Sequence, residues 1–203
     1  ALPIFHTHGL FVATNVALLS GASVILLAKF DTDAILTAMP QATTLMGVPT
    51  FYTRLLKDQR LTQDLAQHMR LFISGSAPLL VDTHEQWQAR TGHRILERYG
   101  MTETNMSTSN PYQGERRAGT VGFPLPGVEV KVMNGNDEVE TGAIGVLWVR
   151  GANVFQGYWQ MPEKTAEELL PDGWFITGDL AQIDSDGYVT IVGRAKDLVI
   201  TGG

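Results

Sequence analysis

Cysteine is absent from the 203 residues of this chain, and so are long apolar runs. The lack of cysteine excludes disulfide bonds and zinc-thiolate sites and is consistent with a reducing compartment, so we expect a cytoplasmic protein. The longest apolar stretch, VALLSGASVILLA at residues 16–28, is interrupted by Ser20 and Gly21 and is too short to span a bilayer. We therefore predict that it forms an element of the core.

Positive charge is scarce, with 15 lysines and arginines against 21 aspartates and glutamates, and no basic run interrupts the balance. Neither nucleic acid nor a membrane surface is therefore an expected partner. The sequences GxxxxGKS/T and GxGxxG are also missing, which argues against a P-loop NTPase and a Rossmann dehydrogenase. The chain opens with ALPIFHTHGL, without an initiator methionine, and ends just past an apolar run, so we expect a fragment.

The pattern of strands and helices changes near residue 110. Before it, apolar runs such as ASVILLA and MRLFISG alternate with helical patterns, which predicts βαβ units around a parallel sheet. After it, short β-strand patterns dominate, and a hairpin is predicted to turn at Asp186-Gly187. The predicted fold class is α/β, with a parallel-sheet subdomain at 1–110 followed by a β-rich, barrel-like subdomain at 111–193.

One helical pattern in the first half is LLVDTHEQWQARTG. Its spacing places Leu80, His84 and Trp87 on one face, which is the arrangement expected of a helix packed on a core. Gly92 can end the helix, because glycine readily adopts the left-handed conformation of a C-cap.

Two apolar runs end in glycine and small hydroxyl residues, RLFISGSAP at 70–78 and RILERYGMTET at 94–104. Ligands of open α/β sheets bind beyond the carboxyl ends of strands, so both runs are expected to face one ligand. Glycine permits a close approach, threonine hydroxyls donate to phosphate oxygens, a glutamate can hold magnesium, and a tyrosine ring can pack on a base. These features predict a nucleotide site, while the same clusters also fit ordinary turns.

Five motifs together resemble the adenylate-forming acyl-CoA synthetases. They occur in the order of that family and cover almost the whole chain: ISGSAPL (73–79), ERYGMTET (97–104), GTVGFPLPGVEVKV (119–132), GWFITGDLAQIDSDGYVTIVGR (173–194) and GRAKDLVITGG (193–203). Within the family, GVPTFYTRLL and the region around ERYGMTET are most similar to malonate-activating members. The resemblance implies an ATP-dependent ligase that joins a small carboxylic acid to coenzyme A, with CoA as co-substrate and AMP and pyrophosphate as products.

The resemblance also implies a nucleotide-binding role for ERYGMTET. Thr102 is expected to contact phosphate, Glu103 to bind Mg²⁺, and Tyr99 to pack on adenine beside Gly100 and Met101. Thr102 and Glu103 are thus candidate catalytic residues.

The other candidate nucleotide contacts come from motifs before and after this one. The opposite wall of the site is expected from Gly75, Ser76 and Ala77. Asp179 of TGD is expected to accept hydrogen bonds from the ribose hydroxyls, and Arg194, the third candidate catalytic residue, to contact ribose or phosphate. Taken alone, Asp179 also fits a turn cap and Arg194 a solvated surface charge.

Selection of malonate requires a cation for its second carboxylate, and Arg54 is the candidate. A guanidinium binds a carboxylate through two parallel hydrogen bonds, although the local pattern equally fits a helix with Arg54 in solvent. Ser74 and Gly75 are expected to complete the acid pocket. His6 matches the family position near the acyl group. His6 and His8 together also suggest a metal site, and the alternative to that metal site is a structural role for the two histidines.

Two parts of the family's enzymes have no counterpart in this sequence. One is the phosphate-binding loop upstream, and the other is the C-terminal domain with the lysine that drives adenylation. The family's hinge falls at Lys196 or Asp197, so residues 194–203 are expected to begin the link to that missing domain, and the chain alone is expected to be a poor catalyst. The alternative function is a ligase of another short-chain acid, an aryl acid or a fatty acid, or a nucleotide-binding module without acyl transfer.

Overall fold

The computed structural model describes residues 1–195, which form two five-stranded sheets. The first sheet has the order β1-β2-β3-β4-β5, and these strands are Thr44–Gly47, Leu71–Ser74, Leu96–Met101, Asn105–Ser109 and Phe123–Pro124. β1, β2 and β3 pair in parallel, whereas β4 pairs with β3 and with β5 in antiparallel fashion. The parallel βαβ arrangement predicted for the first half is confirmed, with MRLFISG supplying β2.

The described residues contain six α-helices, a π-helix (His8–Asn15) and a 3-10 turn (Met39–Gln41). In chain order, α1 to α6 are Val16–Leu19, Thr32–Ala38, Pro49–Leu55, Gln63–Ala66, Val81–Thr91 and Pro162–Glu168. None of the helices within residues 1–195 combines the length and apolar character needed to cross a membrane.

The larger core lies between the first sheet and helices α2 to α5. Trp87 of α5 makes edge-to-face contacts with Tyr52 and Phe72 at ring centroid distances of 4.9 and 5.0 Å, and all three side chains are fully buried. The Tyr52 hydroxyl donates to the Ile73 carbonyl at 2.5 Å and so joins α3 to β2. Burial of this kind stabilises a domain by roughly 2 kcal/mol or more per large side chain.

The predicted helix at LLVDTHEQWQARTG is confirmed as α5, with one correction. His84 and Trp87 lie on its buried face, and Gly92 ends the helix with a φ of +77°. Leu80 is 69% exposed because it precedes the first helical turn in an extended conformation and therefore does not share that face.

The prediction that residues 16–28 form a core element is wrong for the described chain. Leu19 is 88% exposed and Leu26 65% exposed, and ASVILLA forms no strand. The reason is that α1 is a single turn and that nothing in residues 1–195 packs over the outer side of this stretch. Most of the apolar side chains are therefore exposed, and Leu27 alone of this stretch packs against the larger core.

The second sheet is antiparallel and has the order β10-β9-β8-β6-β7. In chain order, β6 to β10 are Val128–Asn134, Asp137–Glu138, Gly145–Gly151, Phe175–Ile183 and Val189–Arg194. Its buried hydrophobic cluster consists of Val132, Leu147, Val149, Ala181 and Val189. The β-rich second half is thus confirmed.

The two sheets are joined beside β5 and β10. Gly122 and Val189 form an antiparallel bridge, and the Val121 amide donates to the Val189 carbonyl at 2.8 Å. The predicted hairpin at Asp186-Gly187 is confirmed, because the Gly187 amide donates to the Asp184 carbonyl at 3.0 Å between β9 and β10. This contact between the two sheets brings the end of β10 next to β3, where the candidate site lies.

Candidate active site

A cavity of about 340 Å³ opens where the loop after β2, strand β3 and the ends of β9 and β10 meet. We call it the Tyr99 cavity, and its lining includes Ser74, Ser76, Ala77, Glu97, Arg98, Tyr99, Gly100, Met101, Gly119, Asp179 and Arg194. Parallel strands that end at one edge produce such a crevice, as expected for an open α/β sheet. The two runs that predicted a ligand therefore do face one space.

One end of the Tyr99 cavity is formed by a hydrogen-bonded group of three side chains. The Tyr99 hydroxyl donates to Oδ2 of Asp179 at 2.6 Å, and Nε of Arg194 donates to Oδ1 at 3.1 Å. Arg194 lies opposite Asp179 in the β9–β10 register, and its side chain is 62% exposed. Burial, and secondarily the Asp179 carboxylate, raises the pKa of Tyr99 well above its ordinary value, so the hydroxyl remains a donor.

The opposite wall is the loop after β2, which is held in an unusual backbone conformation. Ser76 has a φ of +68°, a region that non-glycine residues rarely occupy. Its hydroxyl lies 3.1 Å from Nδ1 of His8, and a methyl group added at Gly75 would come within 3.4 Å of the His8 ring. The π-helix therefore supplies a buried imidazole that holds this wall in place.

Charge and burial determine the protonation of that imidazole. Burial, together with the positive charges of Arg98 and His6, lowers the pKa of His8 to about 4. His8 is therefore neutral near pH 7, and its ring can accept as well as donate a hydrogen bond.

Arg98 lies between the Tyr99 cavity and a second, largely apolar space of about 520 Å³, and it lines both. We call this second space the apolar cavity; its lining also includes Ala13, Val24, Leu45 and Ile73. Burial lowers the pKa of Arg98, and its Nε is buried with no hydrogen-bond partner among the described residues. A buried donor of a cation without a partner is unfavourable, so this half-buried arginine is suited to binding a carboxylate or a phosphate.

Beneath the cavity, Glu97 connects three elements. Its Oε1 accepts from Nδ1 of His84 on α5 at 3.0 Å and from the Gly119 amide at 3.3 Å. Burial raises the pKa of Glu97, while these two donors oppose the shift. Asn110 adds to the connection by donating from Nδ2 to the Thr120 carbonyl at 2.7 Å. Strand β3, helix α5 and the 119–120 segment are thereby fixed against one another.

Thr102 and Glu103 follow β3 at the edge of the site, and neither lines the Tyr99 cavity. Thr102 is exposed, whereas Glu103 is half-buried because a later segment crosses it. The Tyr158 hydroxyl lies 3.0 Å from Oε1 of Glu103 and 2.7 Å from Oε2 of Glu168. Burial and these two carboxylates raise the pKa of Tyr158 well above its usual range.

The structure brings together the predicted residues Ser74, Ser76, Ala77, Tyr99, Gly100, Met101, Asp179 and Arg194 in one cavity lining. Gly75 lies in the same wall, and the Ser74 hydroxyl is buried without a hydrogen-bond partner in residues 1–195. The ligand roles assigned to these residues stay predictions. Lys196 and Asp197, the predicted hinge, lie outside the described residues.

Two predicted substrate residues lie elsewhere. Arg54 is exposed at the end of α3, and its guanidinium carbon lies 4.3 Å from the centre of the Phe30 ring. His6 is exposed, and its Nδ1 accepts a hydrogen bond from the His8 amide at 3.2 Å. Arg98 lines the Tyr99 cavity and His8 contacts Ser76 in its wall, whereas His6 and Arg54 do not line it. The substrate roles of His6 and Arg54 stay predictions.

Sequence reasoning missed His8, Arg98 and Tyr158 as site residues. His8 stands two residues after His6 in FHTHG, and a strand pattern through ERYG includes Arg98 beside Tyr99, so the local signal was present for both. No local pattern indicates that Tyr158 approaches Glu103, because 55 positions separate them in the chain.

Comparisons with known proteins identify relatives of this chain in sequence and in fold. The family model described as AMP-binding enzyme matches residues 1–159. A malonate–CoA ligase of Arabidopsis thaliana is 40% identical over the whole chain, and a long-chain-fatty-acid–CoA ligase of Yersinia pestis is 36% identical. The crystal structure of ATP-bound MatB from Rhodopseudomonas palustris superposes with a TM-score of 0.97 at 64% identity over the whole chain. The chain spans 36%, 37% and 41% of these three proteins respectively, less than half of each.

Proposed function

The chain belongs to the AMP-binding enzyme family, and from this membership we propose that the whole protein containing it is an ATP-dependent acid–CoA ligase that activates malonate. The observation that carries the proposal is Arg98, a half-buried arginine in the lining of the Tyr99 cavity whose Nε is buried without a hydrogen-bond partner in residues 1–195. The relatives named as malonate–CoA ligases and the 64% identity to MatB support the choice of acid.

The proposed reaction has two steps. In the first, a carboxylate oxygen of malonate attacks the α-phosphorus of ATP, forming malonyl-AMP and releasing pyrophosphate. In the second, the sulfur of CoA attacks the acyl carbon, its proton is lost, and AMP leaves as the thioester forms. Tyr99, Asp179 and Arg194 bind and orient the nucleoside part in both steps, with Gly75 to Ala77 as the opposite wall and Thr102 on the phosphate.

Arg98 gives the site a means of selecting a dicarboxylic acid. Malonate has one carboxylate that reacts and one that does not, and a single desolvated guanidinium can bind the second through two charge-assisted hydrogen bonds. Each contributes on the order of 1.5–3 kcal/mol. Acetate makes neither, so Arg98 discriminates between the two acids. Arg54, the candidate from the sequence, stays a prediction.

The side chains present at the edge of the site suit Mg²⁺ held together with a nucleotide. Mg²⁺ is commonly bound through one or two carboxylates plus substrate phosphates, and Glu103 offers one such carboxylate next to Thr102. No group of three or more potential metal-binding side chains occurs in residues 1–195, which is consistent with this mode rather than with an all-protein site. When bound, the ion would neutralise phosphate charge during adenylation.

The whole protein is also expected to contain a further domain beyond the described residues. We infer that a C-terminal domain supplies further catalytic groups and rotates about Lys196 or Asp197 between the two steps. A cytoplasmic location is likewise inferred from the absence of cysteine. One malonate–CoA ligase relative, from mouse, is named as mitochondrial.

A fatty-acid ligase is the second candidate, because the apolar cavity beside Arg98 is large enough for an alkyl chain. The decisive experiment is pyrophosphate release by the whole protein with ATP, Mg²⁺, CoA and malonate, methylmalonate, acetate, octanoate or coumarate. We expect malonate to be preferred by at least tenfold over acetate. Preference for octanoate would favour the second candidate, and nucleotide binding without pyrophosphate release from any acid would favour a binding module.

A further inference from the structure

Tyr158 contacts the carboxylate that the proposed function assigns to magnesium, and it reaches that position from a distant part of the chain. Its hydroxyl lies 3.0 Å from Oε1 of Glu103. The backbone adds a second connection, since the Phe155 amide donates to the Glu103 carbonyl at 2.7 Å. The segment around Tyr158 therefore holds Glu103 at both its main chain and its side chain.

The Tyr158 segment is itself firmly anchored. Phe155 packs edge-to-face on Tyr158 at 4.7 Å and on Phe175 of β9 at 5.3 Å. The Tyr158 amide donates to Oγ1 of Thr165 in α6 at 2.9 Å. Because the ring is packed and its backbone is bonded, the hydroxyl oxygen has a fixed position.

The Tyr158 hydroxyl has one hydrogen and two carboxylate acceptors. Besides Glu103, it lies 2.7 Å from Oε2 of Glu168, whose Oε1 pairs with Lys164. A single hydrogen can be donated fully to only one of the two at a time. By rotating its O–H bond, the hydroxyl can therefore donate either to Glu103 or to Glu168 without a change in backbone position.

We propose that Tyr158 is a positioning residue for Glu103: its hydroxyl orients the carboxylate towards a nucleotide-bound Mg²⁺. Carboxylates that bind metal ions are themselves held by hydrogen bonds, and loss of such a support commonly costs 10- to 100-fold in metal affinity or activity. The proposal rests on the proposed function only for the role of Glu103, and the contacts of Tyr158 are independent of it.

The test measures how much Mg²⁺ strengthens binding of a non-reacting ATP analogue, α,β-methylene-ATP, to the whole protein. The affinity is measured with and without Mg²⁺, and AMP affinity and the unfolding temperature are measured as controls of the pocket and of the fold. Tyr158→Phe removes only the hydroxyl and keeps the ring contacts. We expect it to reduce the Mg²⁺-dependent gain about tenfold while leaving AMP affinity and the unfolding temperature within error.

Two further variants make the result specific. Tyr112→Phe is the matched control, because Tyr112 is 54% exposed and its hydroxyl has no hydrogen-bond partner in residues 1–195; it should retain the full gain. In a Glu103→Gln background, Tyr158→Phe should cause no further loss, since both changes act on one metal contact.

The possible outcomes distinguish the positioning role of Tyr158 from the metal role of Glu103. If Glu103→Gln lowers the gain while Tyr158→Phe keeps it within twofold, the positioning role is overturned and the metal role of Glu103 stands. If Tyr158→Phe weakens AMP binding as much as binding of the Mg²⁺ complex, Tyr158 is structural and the proposal also fails. If Glu103→Gln keeps the full gain, the metal assignment and the positioning role fail together.

Discussion

At the scale of the residue, Arg98 combines burial with the lack of an anion. Other arginines in the described chain, such as Arg150 with Glu129 and Arg60 with Asp58, hold ion pairs at the surface. Removing a partner from a buried ion pair usually costs several kcal/mol because a charge is left uncompensated. Arg98 is half-buried and its Nε has no partner among residues 1–195, which supports the ligand-binding role proposed for it.

Arg98→Met in the whole protein should therefore reduce use of malonate by about 100-fold while leaving stability unchanged or slightly higher. The substitution keeps most of the length of the side chain but removes the guanidinium. The variant therefore loses two charge-assisted hydrogen bonds to malonate, and its fold no longer has to bury part of a charge. The measurements are kcat/KM for malonate and for acetate, together with the unfolding temperature.

Arg54→Met is the matched control for this prediction. Arg54 is exposed and stacks on Phe30, so its loss should change malonate use by less than a factor of about five. Arg54→Met could instead lower kcat/KM for malonate more than Arg98→Met does, with no change for acetate. That result would mean that Arg54, the residue predicted from sequence, binds the second carboxylate of malonate.

At the scale of the element, the turn from β3 to β4 shows why glycine follows Tyr99. The register of the two strands shifts between Tyr99 and Gly100, and a β-carbon at Gly100 would lie 1.8 Å from the Asn105 carbonyl oxygen. A side chain at this position would push β4 away from β3. The tyrosine ring that closes the cavity depends on that pairing, because its hydroxyl has to meet Asp179 on the other sheet.

Gly100→Ala should therefore lower both stability and nucleotide affinity. The clash is with backbone, which does not move as readily as a side chain, and overpacking of this kind costs on the order of 1–3 kcal/mol. Chemical unfolding and AMP titration provide the measurements. Gly193→Ala is the control for stability, because a β-carbon there meets nothing within 4 Å. Equal stability of the two variants would show that the β3–β4 turn relaxes without cost.

The sequence predicted elements well where local chemistry determines them. Gly92 ends α5, and the Asp186-Gly187 turn joins β9 to β10, because both depend on a few adjacent residues. The site was predicted less completely. Tyr99 and Asp179 were expected at one nucleotide through the resemblance, but their mutual hydrogen bond depends on how two sheets meet, which no local pattern encodes.

At the scale of the whole molecule, residues 16–28 show the limit of inference from apolar content. Such a stretch has to be buried by something, and the sequence contains no indication of what covers it. Phe5 is 92% exposed and Leu19 88% exposed, and they lie with Leu26 among a group of outward apolar side chains. Large apolar side chains exposed in such number are typical of regions covered by other polypeptide. Burial is thus a property of the folded assembly, not of the segment.

Protonation of His8 couples the site to the stability of the whole molecule. Burial and the nearby charges of Arg98 and His6 lower its pKa from 6.5, the ordinary value of a solvated histidine, to about 4. The unfolded chain therefore binds a proton between these values that the folded chain does not, so stability falls as the pH drops from about 6.5 towards 4. The full shift corresponds to at most about 3 kcal/mol.

His8→Asn should flatten this pH dependence, because an amide can still hydrogen-bond to Ser76 but does not take up the proton. Urea unfolding of the 203-residue chain at pH 7 and pH 4.5 gives the comparison. We expect the wild-type chain to lose about 1–3 kcal/mol more than the variant between the two values. If His8→Asn loses as much stability on acidification as the wild type, the imidazole is already protonated in the folded chain, and its proposed neutral role beside Ser76 is wrong.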